Sequence, residues 1–519
     1  MASTFFGLTI AYSGLQAANT SLTITGHNVS NINTKGYTKQ QAGTQAADAL
    51  RTHTTYGAIG SGVVVTEISQ IRDSYYDVKY RNNMANYGQY SVKESYMGQI
   101  EDYLDEFTLN GYSQEYKNFF SAVNQLTITP GDTSAKNQLI NNAKSLADYF
   151  NTLTTNLRNV QADANNEIKD AVQQINSYAK NIAALNRQIN QIEANYGNAN
   201  DLRDKRNAMI DELSEIVNLE TSEEDMGNNV SNFSVRINGQ TLVSSYSYNT
   251  LETVARTDKK NYSDAEGLYD VQWNSGQKFD MYSTSLSGHL KGLIDIRDGN
   301  NGEHENIETD DDGNNVTDSD GNLVLTTAPA ADKTVSYKGV PYYQAQLNEF
   351  AKIFSDAVNK IMKSGYTSDG SSKGISLFVT QPNTTVMSAG NITVNPELLK
   401  NADLLAIKKE QNDGESDAKI MEELNKLQSE KIFAGGTGSY FLESIVSDMS
   451  IDSQKAVNLY KNYTDLKTSI HNQRLSIMGV DTDEEAMDLV KFQQAYNLSS
   501  KMMTVMNQLY DRLINNTGV

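Results

Sequence analysis

The sequence predicts a mainly α-helical chain with β-rich insertions: a terminal α-helical coiled coil, a long-helix rod-like domain and an outer β-rich part. Three observations predict it. Apolar residues recur every seven positions at both ends, residues 132–196 hold neither Gly nor Pro, and period-two alternation begins only after about residue 226.

The N-terminal element comes first. Leu8, Leu15, Leu22 and Val29 are seven apart, as are Ala11, Ala18, Thr25 and Ile32. Two such stripes offset by three make the a/d seam of a coiled coil. The seam covers about 25 residues, or roughly 37 Å of helix at ~1.5 Å per residue, and Gly36 supplies a stop. At the other end Leu489, Tyr496, Met503 and Tyr510 form one stripe, and Phe492, Ser499, Met506 and Leu513 the other. Gly479, then Thr482 with Glu485 three residues on, reads as its capping box. Two sticky seams at opposite ends call for each other or for neighbouring subunits.

Between them, Ala143, Phe150, Leu157, Ala164, Ala171, Tyr178, Leu185 and Ile192 keep the same spacing in one long helix. Its companion stripe is Leu139, Leu146, Leu153 and Val160, then Ile168, Ile175, Ile182 and Ile189 on the other flank. That change implies a new packing partner midway, and the period implies left-handed supercoiling. NDLRDKRNAMIDELSEI (200–216) reads as a returning helix. SNFSVRINGQTLVSS, turning at Asn238-Gly239, reads as a β-hairpin. A helix returns at 342–366, and ITVNPELL reads as a strand running into a turn. The expected organisation is therefore discontinuous. Residues 1–60 with 480–519 form a terminal assembly domain. Residues 61–225 with 288–298, 341–365 and 435–479 form the long-helix domain. A β-rich outer domain (226–287), an acidic insertion (299–340) and a mixed segment (366–434) complete it.

Composition narrows the function. The 519 residues carry 64 Asp+Glu against 43 Lys+Arg, a net charge of −21. That balance argues against nucleic acid and anionic lipid as partners. No run of 18 apolar residues is present, so no membrane span is expected. MASTFFGLTIAYSGLQ lacks a basic start and an A-x-A site, so a cleavable export leader is not expected. Cysteine is absent, which removes thiol chemistry and cysteine-held metal.

Candidate catalytic chemistry is thin. DDDGNNVTDSDGN suggests a calcium loop, but with Gly313 or Gly321 as sixth position the twelfth is Ser319 or Thr327, not the bidentate Glu. Gly370-Ser371-Ser372-Lys373-Gly374 matches G-x-S-x-G in a polar stretch without a strand-to-helix elbow. His304-Glu305 lacks the second histidine of a zinc helix. No catalytic residue, cofactor or metal is expected.

Both ends resemble the rod, hook and hook-associated axial proteins of the bacterial flagellum. The likeness stands in Ser13-Gly14-Leu15-Gln16-Ala17, His27-Asn28-Val29-Ser30-Asn31 and Asn33-Thr34-Lys35-Gly36-Tyr37. It stands also in Asp483, Glu484, Glu485, Ala486, Leu489, Gln493, Gln494, Ala495 and Tyr496. Gly36-Tyr37-Thr38-Lys39-Gln40 and NDLRDKRNAMIDELSEIV resemble the hook–filament junction members most. Lys39 stands where those members carry Arg, keeping the charge without the guanidinium fork. The resemblance implies a structural subunit that leaves through the flagellar type III export apparatus, attended by a cytosolic chaperone. It would form a ring with copies of itself between the hook protein and hook-associated protein 3, outside the cell. Hook protein or hook-associated protein 3 itself, or an adhesin-like role for the middle, are the alternatives.

The expected working residues follow. The N-terminal seam is Leu8, Ala11, Leu15, Ala18, Leu22, Val29 and Ile32. The family motif is Asn28, Asn31, Asn33, Thr34, Gly36 and Tyr37, with the asparagines outside the seam. The C-terminal seam, shared with the chaperone, is Leu489, Phe492, Tyr496, Met503, Met506, Tyr510 and Leu513.

Overall fold

The computed structural model describes residues 6–51, 58–104, 111–301, 306–307, 325–326, 335–382, 384, 386–414, 416–433 and 436–515. Most of them are helical. The helices are α1 (Phe6–Ser30), α2 (Ser74–Leu104), α3 (Tyr112–Ile128), α4 (Thr133–Glu193), α5 (Asn200–Ile216), α6 (His289–Asp298), α7 (Val340–Ser364), α8 (Pro396–Lys400), α9 (Lys419–Lys426), α10 (Gly438–Met478) and α11 (Thr482–Asn515). The calcium candidates around Gly313 and Gly321, and His304-Glu305, lie outside the described residues. Among those described, no acidic or histidine cluster could hold a metal and no helix is long and apolar enough to cross a membrane.

The chain divides into two compact units: residues 1–85, 175–250 and 463–519, and residues 86–174 and 251–462. The helices α2, α4 and α10 each contribute residues to both. The second unit is built on aromatic packing. Tyr116, Phe119 and Phe120 of α3 meet Phe350 and Phe354 of α7, and Phe350 stacks on Phe150 of α4 at 5.2 Å and on Phe433 at 5.1 Å. On α4, Leu139, Ala143, Leu146, Phe150, Leu153, Leu157 and Val160 are buried, as their seven-residue spacing requires.

A charged cluster ties the antiparallel pair Leu251–Ala255/Tyr269–Trp273 to α6. Asp298 accepts two hydrogen bonds from Arg297 (2.6 and 3.0 Å) and two from Arg256 (2.6 and 2.9 Å). Arg297 also donates to the Tyr269 carbonyl at 2.7 Å. Burial pushes the Asp298 carboxyl up, but the two guanidiniums outweigh it and hold it well below the ordinary range. Nearby Asp264 moves the other way, raised by burial and by Asp298.

In the first unit α4 changes its buried face. Ile175, Ile182 and Ile189 are buried, whereas Tyr178 and Leu185 are half-buried and Ile192 is exposed. A four-stranded antiparallel sheet, Glu220–Asp225, Ser231–Ile237, Gln240–Ser244 and Ser247–Tyr248, covers that part of the helix. Asn186 and Asn190 of α4 donate to the strand carbonyls of Phe233 and Ser231. The Asn238-Gly239 turn has φ of 49° and 76°, the positive pair that a tight two-residue hairpin needs.

Two expectations change. The span 226–287 is two sheets, not one domain: the four strands belong to the first unit and the pair after residue 250 to the second. After the strand Ile392–Val394, Asn395 accepts from the Glu397 N–H and starts α8 at Pro396 rather than a turn. Pro at the first helical position suits a helix start. Gly370–Gly374 forms a loop held by the Asp369 carboxylate, which accepts from Thr367 and Ser371. No elbow is present there.

Candidate assembly interface

The first unit brings the two ends of the chain together. Helix α1 packs along α11. A Cβ on Gly7 would lie 2.9 Å from Met506 Sδ, and one on Gly14 would lie 3.0 Å from Ser499 Oγ. Asn28 Nδ2 donates to Glu485 Oε1 at 3.1 Å. Rising numbers on one helix meet falling numbers on the other, so the pair is antiparallel. The same seven-residue step places Ser21 opposite Phe492.

The stripe of α1 that faces α11 is thus Gly7, Ala11, Gly14, Ala18, Ser21, Thr25 and Asn28. Ala11, Ala18, Ser21, Thr25 and Asn28 are buried. The stripe Leu8, Leu15 and Leu22 flanks it and is half-buried, while Val29 and Ile32 are each 38% exposed. Of the expected seam, Ala11, Ala18 and Thr25 lie in the contact, while the stripe of Leu8, Leu15, Leu22 and Val29 gives way to Gly7, Gly14, Ser21 and Asn28. The reason is size: glycine, alanine and serine allow close approach, so Met506 and Ser499 fit where a leucine would hold the helices apart.

On α11, Phe492, Tyr496, Met503, Met506 and Tyr510 are half-buried. Leu489 and Leu513 are exposed, and the contact begins instead at Glu485, which is 1% exposed. The expected capping box also shifts. Asp481 is the N-cap, accepting from the N–H groups of Asp483 (2.8 Å) and Glu484 (3.3 Å), which leaves Glu485 free to turn inward. A second apolar stripe, Leu498, Met502, Val505 and Leu509, is half or more exposed except Met502 at 48%. It was missed because the heptad reading assigned one seam per helix.

At the far end of α1 the motif residues form a corner. Asn28, expected outside the seam, is 1% exposed. Its Oδ1 accepts from Tyr37 OH (2.7 Å) and the Gln40 N–H (3.0 Å), and its Nδ2 donates to the Gln40 carbonyl (3.0 Å) and Glu485. An amide has two donor and two acceptor positions, and all are used. His27 Nδ1 lies 2.9 Å from Tyr37 OH. Asn31 donates back to the His27 carbonyl, closing the helix end, and accepts from Thr34 Oγ1; Asn33 is exposed. Gly36 has φ +81°, and a Cβ there would sit 3.1 Å from Ala208.

Beyond Gly36 the chain docks on α5. The Asp204 carboxylate accepts from Thr38 N (2.9 Å) and Thr38 Oγ1 (2.7 Å), Gln40 Nε2 donates to Asp201, and Lys35 pairs with Glu212 at 2.7 Å. Burial raises Asp204 despite these bonds. Arg206, on the other side of α5, lies 3.8 Å over the Phe233 ring and bonds Glu223. Burial pushes its guanidinium down to about 10. One face of DLRDKR thus holds the N-terminal loop and the other holds the sheet.

Lys39 closes the corner, its Nζ 2.7 Å from Glu484 and 3.2 Å from Glu485, while its N–H donates to the Met478 carbonyl. A lysine reaches both carboxylates as a point charge, without a guanidinium fork. Below it, Arg474 joins Asp77 (2.8 Å) to Asp211 (2.6 Å), and Arg81 also holds Asp211. A cavity of about 600 Å³ lies beside Ile32, Tyr37, Tyr80, His471 and Arg474. Burial, then Arg474, lowers His471.

The strings that seemed separate in sequence, HNVSN, GYTKQ, DLRDKR and DEEAM, therefore meet at one corner. The model of the flagellar hook-associated protein FlgK helical domain matches residues 97–378, more than half of the chain. The chain belongs to the flagellar hook-associated protein family. Residues 471–516 match the C-terminal model of the flagellar basal body rod FlgEFG proteins. Flagellar hook-associated protein 1 of Bacillus subtilis is 27% identical, covering 100% of this chain and 99% of that protein. That of Salmonella typhimurium is 28% identical, covering 97% and 98%. The flagellar hook junction protein FlgK from Burkholderia pseudomallei has a related fold, with TM-score 0.57, 14% identity, 77% of this chain and 100% of that one. The chain is a structural protein of the flagellum.

Proposed function

We propose that this chain is the hook–filament junction subunit, the counterpart of hook-associated protein 1, and acts mechanically rather than catalytically. The observation that carries the reading is the terminal pair. α1 and α11 join through a narrow small-residue stripe and leave Leu498, Met502, Val505 and Leu509 to water. Two helices cannot bury both faces of each other, so the remaining stripe is covered by further copies in a ring. Hook protein lies on one side of that ring and hook-associated protein 3 on the other. Before assembly a cytosolic chaperone shields the same stripe, and the chain leaves through the type III export apparatus.

Deleting residues 481–519 tests this. The truncated chain should remain helical and soluble, yet be absent from hook–filament junctions by antibody labelling and fail to bind the chaperone. Normal incorporation of the truncation overturns the proposal.

A further inference from the structure

In the second unit a cleft of about 750 Å³ lies between α2, α6, α10 and the segment around Tyr337. Its walls carry Lys93, Lys291, Lys338 and Lys455 against the carboxylates Asp295 and Asp452. This surplus of cations sits on a chain whose net charge is −21. Asp295 alone is bonded by Lys93 Nζ at 2.7 Å and Lys291 Nζ at 3.0 Å, both side chains nearly buried. One ammonium neutralises a buried carboxylate; the second is surplus. Lys93 also lies 4.0 Å over the Tyr337 ring. Burial lowers its pKa, Asp295 opposes that, and Lys291 and Lys455 push it down further. Lys455 is exposed and has no ion-pair partner among the described residues. Lys338 faces two carboxylates of its own, Asp448 at 3.1 Å and Asp452 at 3.6 Å.

We propose that this cleft docks an acidic peptide segment, its carboxylates seated against Lys291 and Lys455. Low-dielectric walls focus a positive potential in a cleft and draw anions to it. The volume exceeds what a single small oxyanion fills, and falls in the range that holds a sizeable ligand. Leu286, Ala456 and Leu459 offer apolar wall for the methylenes of glutamate side chains. Lysines serve as separate point charges, suited to several carboxylates along a strand of peptide rather than to one planar bidentate group. The site is independent of the terminal helices and of the junction role.

The test uses the purified full chain and a fluorescent octaglutamate peptide, read by anisotropy, with octaglutamine and inorganic phosphate as comparisons. Octaglutamate should bind at low salt and weaken steeply as salt rises. Lys455→Glu should weaken it by about tenfold or more, a change of about 1.4 kcal/mol, with an unchanged melting profile. Should that variant not fold, Lys455→Gln should still weaken binding several-fold. Failure of octaglutamate to bind, equal binding of octaglutamine, or unchanged affinity in both variants overturns the proposal. Binding of phosphate without the peptide also overturns it, by making the cleft a small-anion site.

Discussion

In the second unit Phe119 and Phe120 of α3 and Phe350 and Phe354 of α7 are at most 2% exposed and touch one another, with Phe150 of α4 stacked on Phe350. In the terminal pair the central side chains of α11, Phe492, Met503 and Met506, stay half-exposed, and a whole second stripe faces water. Aromatic rings surrounded on all sides complete their burial within the chain. A pair of helices joined by glycine, alanine and serine can match each other closely, but each covers only one side of its partner. The first arrangement is complete within the chain, and the second leaves apolar side chains uncovered.

The largest expected effect lies in the finished core. Phe350→Ala removes a ring stacked on Phe150, Phe354 and Phe433 and should cost about 3–5 kcal/mol. Trp273, the one tryptophan, lies in the second unit, so denaturant unfolding followed by its fluorescence reads this loss directly. A change below about 1 kcal/mol would mean that the core collapses around the gap.

Asp298→Asn probes the charge cluster of the same unit. Loss of a buried ion pair's charge should cost about 3–5 kcal/mol at neutral pH. The folded carboxyl titrates below its unfolded value. Its contribution is therefore full above the ordinary carboxylate range and fades as pH falls through the depressed folded value. The gap between wild type and variant should stay level from neutral pH to about 5 and shrink only below about 4. A gap that shrinks already near neutral pH would contradict the Arg297 and Arg256 pairing.

The smallest effect is expected in the terminal pair. Gly14→Leu places a side chain where Ser499 stands and should cost about 1–3 kcal/mol locally. Amide exchange in α1 and α11 should rise while the Trp273 transition stays unchanged. Slow exchange in both helices would show that the narrow stripe is not the contact.

The helical periods were legible because they are local. The α4 stripes at 139–160 and 168–189 are buried; their change of flank falls between Val160 and Ile168, within the second unit and ahead of the passage into the first at residue 175. On α1 the stripe of Ala11 and Ala18 is buried as its spacing requires, but the leucine stripe beside it is not the contact, for a physical reason. Leucine announces itself by hydropathy, whereas glycine makes an interface by lacking a side chain, which only the opposite helix reveals. Asp481 and Thr482 are both good caps in sequence, and backbone position chose between them.

By itself the sequence determined the long helices, the two amphipathic ends, the Asn238-Gly239 turn and the family, since each is carried by neighbouring residues or contiguous strings. Only the tertiary structure decided that Asn28 is buried, that Thr38 sits on Asp204 and that Lys39 answers Glu484 and Glu485. Those contacts join residues far apart in the chain, and a buried polar group is tolerable only where folding has already brought its partners to it.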